Sequence, residues 1–219
     1  MTKAEVRVRI EEIGIIPALR VSAPEQAVFG AEAVNRAGIP IVEITNTVPN
    51  AAGVISQLAQ RFPDMVVGGG TVLDTETARR FLGSGARFLT SPGLVMEVVE
   101  FALKNDVVVF PGALTPTEVI TAWKAGVDFV KVFPCAPVGG HTYIRSLKIP
   151  LPQIPLIATG GVNQTSAVNF ILAGATALGI GAELIPPEAL QRRKEEQIHE
   201  LARRYLAMVK HARERKNGR

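Results

Sequence analysis

Eight times along 219 residues a short β-branched or apolar run is followed by a turn and then by a stretch of helical periodicity. The runs are GIIPALR (14–20), IPIVEIT (39–45), MVVGGG (65–70), RFLTSPG (87–93), VVVFPG (107–112), DFVKVFP (128–134), IPLIATGG (154–161) and ALGIGA (177–182). Amphipathic segments lie between them, such as APEQAVFGAEAVNRAG (23–38), TETARRFLGSGA (75–86), TPTEVITAWKAG (115–126) and NQTSAVNFILAG (163–174). Several open on Thr, Asn or Pro and close on Gly, which suits the free N–H groups at a helix start and the left-handed residue after its end. Four helix ends read NRAG, GSGA, WKAG and ILAG, so one supersecondary unit recurs. Eight βα units without a compositional break predict an α/β fold, a single (β/α)8 TIM barrel over 1–219, with an N-terminal helix and a basic C-terminal helix. The competing arrangement is an open Rossmann-like sheet, but GGGTVL at 68–73 is not the GxGxxG fingerprint such a sheet would carry.

A chain of this length with 47% apolar and 20% charged residues has the makings of a globular core. Its net charge of +4 gathers in QRRKEEQ (191–197) and KHARERKNGR (210–219). No aromatic residues are interleaved there for base stacking, so these stretches read as a solvated helix face and a frayed tail, with no nucleic-acid partner. The start, MTKAEVRVRIEEIG, is charged throughout and has no apolar signal-peptide core. No apolar run approaches the roughly 20 residues of a membrane span. With Cys135 alone there is no disulfide framework. These features predict a cytoplasmic protein with no membrane association. His141, His199 and His211 are scattered, and neither a metal nor a cofactor is expected.

In barrels of this kind the working residues stand at the C-terminal strand ends. Here those ends carry Arg20, Glu43, Thr71, Pro92, Gly112, Lys131, Gly160 and Gly181. Strand alternation puts Phe129, Lys131 and Phe133 on one face and Val130 and Val132 on the other. The same parity groups Glu43 with Ile41 and Thr45, opposite Val42 and Ile44. If the valines meet the helices, both charges point into the barrel. A buried structural ion pair is one explanation, but such a pair is often no more stabilising than apolar residues of equal volume. A lysine in an apolar setting has a chemical use: desolvation lowers its pKa from about 10.4 toward roughly 7–8. The neutral amine then attacks a carbonyl carbon to form a Schiff base. The iminium draws electrons from the neighbouring carbon–carbon bond, and Glu43 is the candidate acid/base. Exposed lysines such as Lys104 and Lys124 fall on helices.

VEIT around Glu43, GGGTVL around Thr71, TSPGL around Pro92, FPGALTPTE (110–118), FVKVFP around Lys131 and TGGV (159–162) closely resemble the KDPG/KHG aldolase family. Its members are 2-keto-3-deoxy-6-phosphogluconate and 4-hydroxy-2-oxoglutarate aldolases. The resemblance runs from about Arg20 to Pro186. It implies that Lys131 is the Schiff-base lysine and Glu43 the general acid/base, with no metal or cofactor and a 2-keto acid as the small-molecule substrate. It further implies that Thr71 and Pro92 line the pyruvyl half, Phe133 packs beside the imine, and the N–H groups of Gly160 and Gly161, ahead of a helix starting near Asn163, meet a distal anion. A homotrimer is implied as well.

Two positions depart from the pattern. Many relatives have an arginine, holding the substrate carboxylate, where this chain has Thr47; Arg20, at the end of the first strand, is the candidate for the missing cation, the alternative being a solvent-facing loop arginine. Many have a phosphate-binding serine where this chain has Glu183. Two unit charges about 4 Å apart repel by roughly 4 kcal/mol at an effective dielectric of 20. An inward Glu183 therefore opposes a phosphate dianion, unless it turns away or the substrate is an unphosphorylated 2-keto-3-deoxy acid. Two further readings keep the barrel: an isomerase or epimerase using Glu43 as base, and a non-catalytic assembly scaffold.

Overall fold

The computed structural model describes residues 1–218. Its strands are β1 (Ile15–Leu19), β2 (Ile41–Thr45), β3 (Val66–Gly70), β4 (Phe88–Thr90), β5 (Val108–Phe110), β6 (Gly112–Ala113), β7 (Val130–Val132), β8 (Leu156–Thr159) and β9 (Ala175–Ile180). All pair in parallel, in the order β5-β4-β3-β2-β1-β9-β8-β7-β6. The two ends of that order, β5 and β6, are neighbours in the chain, separated only by Pro111. Proline has no N–H to give a ladder, so one stave is read as two strands. The next stave is joined along its length through Asp128 N to Val109 O (3.2 Å), Lys131 N to Pro111 O (3.0 Å) and Phe133 N to Ala113 O (3.2 Å). The barrel therefore closes with eight staves, as the repeat predicts.

Two apolar layers follow from strand parity. Ile16, Ile41, Val66, Phe88, Val108, Phe110, Phe129, Ile157 and Ala177 form the interior cluster. Val42, Ile44, Val67, Val130 and Val132 belong to the outer cluster between strands and helices. Phe88 and Phe110 lie with ring centroids 5.0 Å apart, and Phe129 meets Phe110 edge-on at 6.2 Å. The run Gly68-Gly69-Gly70 makes room on both faces. A Cβ would stand 2.1 Å from the Phe88 ring at Gly68, 2.2 Å from Phe81 at Gly69 and 2.0 Å from a Glu43 carboxylate oxygen at Gly70.

Helix α1 (Lys3–Ile13) seals the N-terminal end of the barrel. Val6 and Ile10, both buried, join the interior cluster. Thr2 and Glu5 form a capping box at its start. Lys3 Nζ lies 3.2 Å from Asp128, whose carboxylate also accepts from Val109 N at 3.1 Å. The arginine of Arg7 sits over the Phe129 ring.

The chain after β9 differs from the expectation of one long helix. It forms α9 (Pro187–Gln191) and α10 (Glu195–Asn217), broken where Arg193 takes φ 48°. Lys194 N reaches back to Ala189 O at 2.8 Å, and the Arg193 guanidinium stacks on Phe29. On α10, Ile198, Tyr205 and Val209 are buried against the barrel's outer helices. The basic stretch read as a frayed tail is helical to Asn217; Arg219 lies outside the described residues.

Candidate active site

At the C-terminal mouth the interior changes character within two residues on each of two staves. Phe129 gives way to Lys131, and Ile41 gives way to Glu43. Both charged side chains are directed inward as parity requires, and both are buried, Lys131 at 7% and Glu43 at 4% relative exposure. Lys131 Nζ stands 3.8 Å from Glu43 Oε2, beyond hydrogen-bond reach but within strong electrostatic contact. The two groups influence each other without being locked together, which leaves the amine able to meet a carbonyl carbon between them. The Phe133 ring centroid is 5.5 Å from Nζ, so an aromatic wall flanks the amine. Gly70 allows the placement of Glu43, since any side chain there would displace the carboxylate.

A cavity of about 620 Å³ opens over this pair. Its walls include Arg20, Thr71, Pro92, Phe133, Gly160, Gly161 and Glu183, with Thr159, Ser22, Gln26 and Gln191. The structure thus brings every expected site residue except Thr47 to one cavity. Pro92 comes close because the backbone at 92–93 lies directly over Gly112, where a Cβ would stand 2.1 Å from Pro92 O.

Thr47 stands behind Arg20 rather than in the cavity wall. Arg20 Nη1 donates to Thr47 Oγ1 at 3.1 Å and Nη2 to Thr71 Oγ1 at 3.3 Å. Thr45 donates to Leu19 O at 3.0 Å, so the 2.7 Å contact between Thr45 and Thr47 is donated by Thr47. The result is an ordered relay of donors, Arg20 to Thr47 to Thr45 to the Leu19 carbonyl. It holds the guanidinium over the β1–β3 side of the mouth with donors to spare for a carboxylate. Thr71 has φ 56°, an uncommon conformation for a β-branched residue, and its hydroxyl is thereby aimed at Arg20.

Across the mouth, Gly160 and Gly161 have φ 88° and 84°. Only glycine adopts such angles without strain. The helix expected near Asn163 begins at Ala167 instead, as α8 (Ala167–Leu172). The Asn163 side chain accepts from the N–H groups of Thr165 and Ser166 (3.0 and 3.1 Å), forming a turn that delays the helix. Any anion or hydroxyl at this wall therefore meets turn N–H groups rather than a long helix terminus. Glu183 is exposed on the adjoining turn, after Gly181.

Thr159, Ser22, Gln26 and Gln191 are cavity residues that sequence reasoning missed. Thr159 ends β8 inside the quoted run IPLIATGG, two residues after the inward Ile157, so parity could have found it; Ser22 precedes, and Gln26 lies in the first turn of, the helix Pro24–Arg36 that follows β1. Gln191 reaches the mouth only because α9 is a separate short helix. Among the described residues no three His, Cys, Asp or Glu side chains converge, and no helix is long and apolar enough to cross a membrane.

The family model described as KDPG and KHG aldolase matches residues 6–201. The 2-dehydro-3-deoxy-phosphogluconate aldolase of Treponema pallidum (strain Nichols) is 28% identical over 200 residues, covering 91% of this chain and 95% of the relative. The KHG/KDPG aldolase of Escherichia coli (strain K12) is 28% identical, over 86% of this chain and 89% of its own. Among solved structures, KDPG aldolase from Legionella pneumophila, with pyruvate captured at low pH as a covalent carbinolamine intermediate, superposes with a TM-score of 0.83. It is 28% identical and covers 90% of this chain and 96% of that chain.

Proposed function

From the premise that the chain belongs to the KDPG and KHG aldolase family, we propose that it cleaves 2-keto-3-deoxy acids between C3 and C4 through an imine on Lys131. It is a pyruvate-dependent aldolase, a carbon–carbon lyase. Its proposed substrates are 2-keto-3-deoxy-6-phosphogluconate, giving pyruvate and glyceraldehyde 3-phosphate, and 4-hydroxy-2-oxoglutarate, giving pyruvate and glyoxylate. The observation that carries this reading is the buried, unlocked pair of Lys131 and Glu43 at 3.8 Å in the wall of the cavity.

In the proposed reaction the Lys131 amine adds to the C2 ketone, and loss of water from the carbinolamine gives the iminium. Glu43 takes the proton of the C4 hydroxyl as the C3–C4 bond breaks, and that electron pair becomes the enamine. The aldehyde leaves, a proton returns to C3 through Glu43, and water hydrolyses the imine to free pyruvate and the amine. Arg20, held by Thr47 and Thr71, binds the substrate carboxylate. Thr71 and Pro92 line the pyruvyl half, and Phe133 flanks the imine. A covalent carbinolamine captured in the Legionella relative supports the first step. No step calls on a metal. A cytoplasmic homotrimer, one barrel domain per chain, is the setting we attach to this reading on the resemblance.

The test is pyruvate release from 2-keto-3-deoxy-6-phosphogluconate and from 4-hydroxy-2-oxoglutarate, with and without a chelator. Release that the chelator does not change is the expected result. No pyruvate from any 2-keto-3-deoxy acid, with conversion of a phosphosugar instead, would move the barrel to the isomerase reading.

A further inference from the structure

The cavity is charged unevenly. Its two cations, Lys131 and Arg20, serve the deep floor and the β1–β3 side, where Arg20 is tied to Thr47 and Thr71. The wall above the ends of β8 and β9, which adjoins β1, offers the glycine turn at Gly160 and Gly161 together with Glu183. Among the described residues Glu183 makes no ion pair, although Arg20 is on the neighbouring stave. The nearby Tyr205 phenol does not neutralise it: its oxygen is buried without a partner, and burial, then the Glu183 charge, push its pKa up to about 12.

From this arrangement we infer that the Glu183 wall selects a 2-keto-3-deoxy acid with an uncharged, hydroxylated tail over one whose tail ends in phosphate. The inference rests on the aldolase reading. A hydroxyl both accepts and donates, so one group can take an N–H from the glycine turn and give its proton to the carboxylate. A phosphate dianion has no proton to donate. It can use the N–H groups but must face the unpaired negative charge of Glu183. Gln191, on the same side of the mouth, adds a neutral donor and acceptor suited to a polyol.

The experiment compares kcat/KM for 2-keto-3-deoxygluconate and 2-keto-3-deoxy-6-phosphogluconate in the wild type and in Glu183→Gln, which keeps shape and removes charge. The wild type is expected to favour the unphosphorylated acid. In Glu183→Gln the ratio should move toward the phosphorylated acid by about tenfold or more. A wild-type preference for the phosphorylated acid, or a ratio that the substitution leaves within about twofold, overturns the inference. Borohydride trapping of pyruvate on wild-type Lys131, run alongside, separates the two failures. A trapped adduct with an unmoved ratio removes only the role of Glu183, whereas absence of the adduct removes the aldolase reading and the inference with it.

Discussion

The two ends of one barrel interior are built on the same strand parity and do opposite things. At the N-terminal end, inward positions carry Phe88, Phe110 and Phe129, and α1 drives Val6 and Ile10 into them. At the C-terminal end, inward positions two residues beyond Ile41 and Phe129 carry Glu43 and Lys131, and a cavity opens over them. The closed end pairs its buried carboxylate, Asp128, with the half-buried Lys3, and Asp128 also accepts from Val109 N. The open end keeps its opposite charges 3.8 Å apart and facing a cavity. The lesson is that a strand's period of two supplies direction only; what caps the end decides whether an inward residue serves stability or chemistry.

Substitutions can break that comparison end by end. The largest expected effect is at the mouth: Lys131→Met should lower cleavage by on the order of 10⁴-fold or more, measured as pyruvate release, while circular dichroism remains native. Glu43→Gln should retain the imine and reduce kcat by about 10²–10⁴-fold, because only proton transfer is removed. At the closed end the pattern should reverse. Phe88→Ala is expected to cost about 3–5 kcal/mol in denaturant unfolding, with kcat of the folded fraction nearly unchanged. A large loss of kcat there, or a large loss of stability at Lys131, would erase the distinction between the ends.

Gly70→Ala sharpens it at the boundary. Its Cβ would stand 2.0 Å from a Glu43 carboxylate oxygen, so the carboxylate must move and kcat should fall by about 10²-fold. The smallest effect is a pH dependence at α6 (Pro116–Lys124), which follows β6 and opens on a capping box of Thr115 and Glu118. Glu118 accepts from the N–H groups of Thr115 and Leu114, and these hydrogen bonds lower its pKa below the ordinary carboxylate value. The sign follows: the folded form holds its proton less tightly than the unfolded chain, so the stabilisation is present above the ordinary carboxylate pKa. It fades as pH falls through the lower folded value. The difference in melting temperature between wild type and Glu118→Gln should accordingly be present at pH 7 and shrink on acidification.

Much of this was legible in the amino acids because it depends on local periods. Parity alone aimed Lys131 and Glu43 inward, and the eight βα punctuations set the staves. What escaped depends on contacts distant in sequence. RRKEE has no glycine or proline to announce a break, yet Arg193 turns left-handed where its guanidinium stacks on Phe29. That break frees α9 to bring Gln191 to the mouth. The late start of α8 was hidden because Asn163 reads equally as a helix cap and as the turn residue it is. The relay from Arg20 through Thr47 and Thr45 to Leu19 joins the ends of β1 and β2, which pattern alone treats separately.

The central proposal is that Lys131, buried at the open end, is the residue that forms the imine. It is tested most directly by incubating the folded protein with pyruvate and borohydride and locating the modification by peptide mass. The account predicts one reduced pyruvyl adduct, on Lys131, and none on exposed lysines such as Lys104 or Lys124. An unmodified Lys131 in folded protein, or an adduct spread over surface lysines, would contradict it.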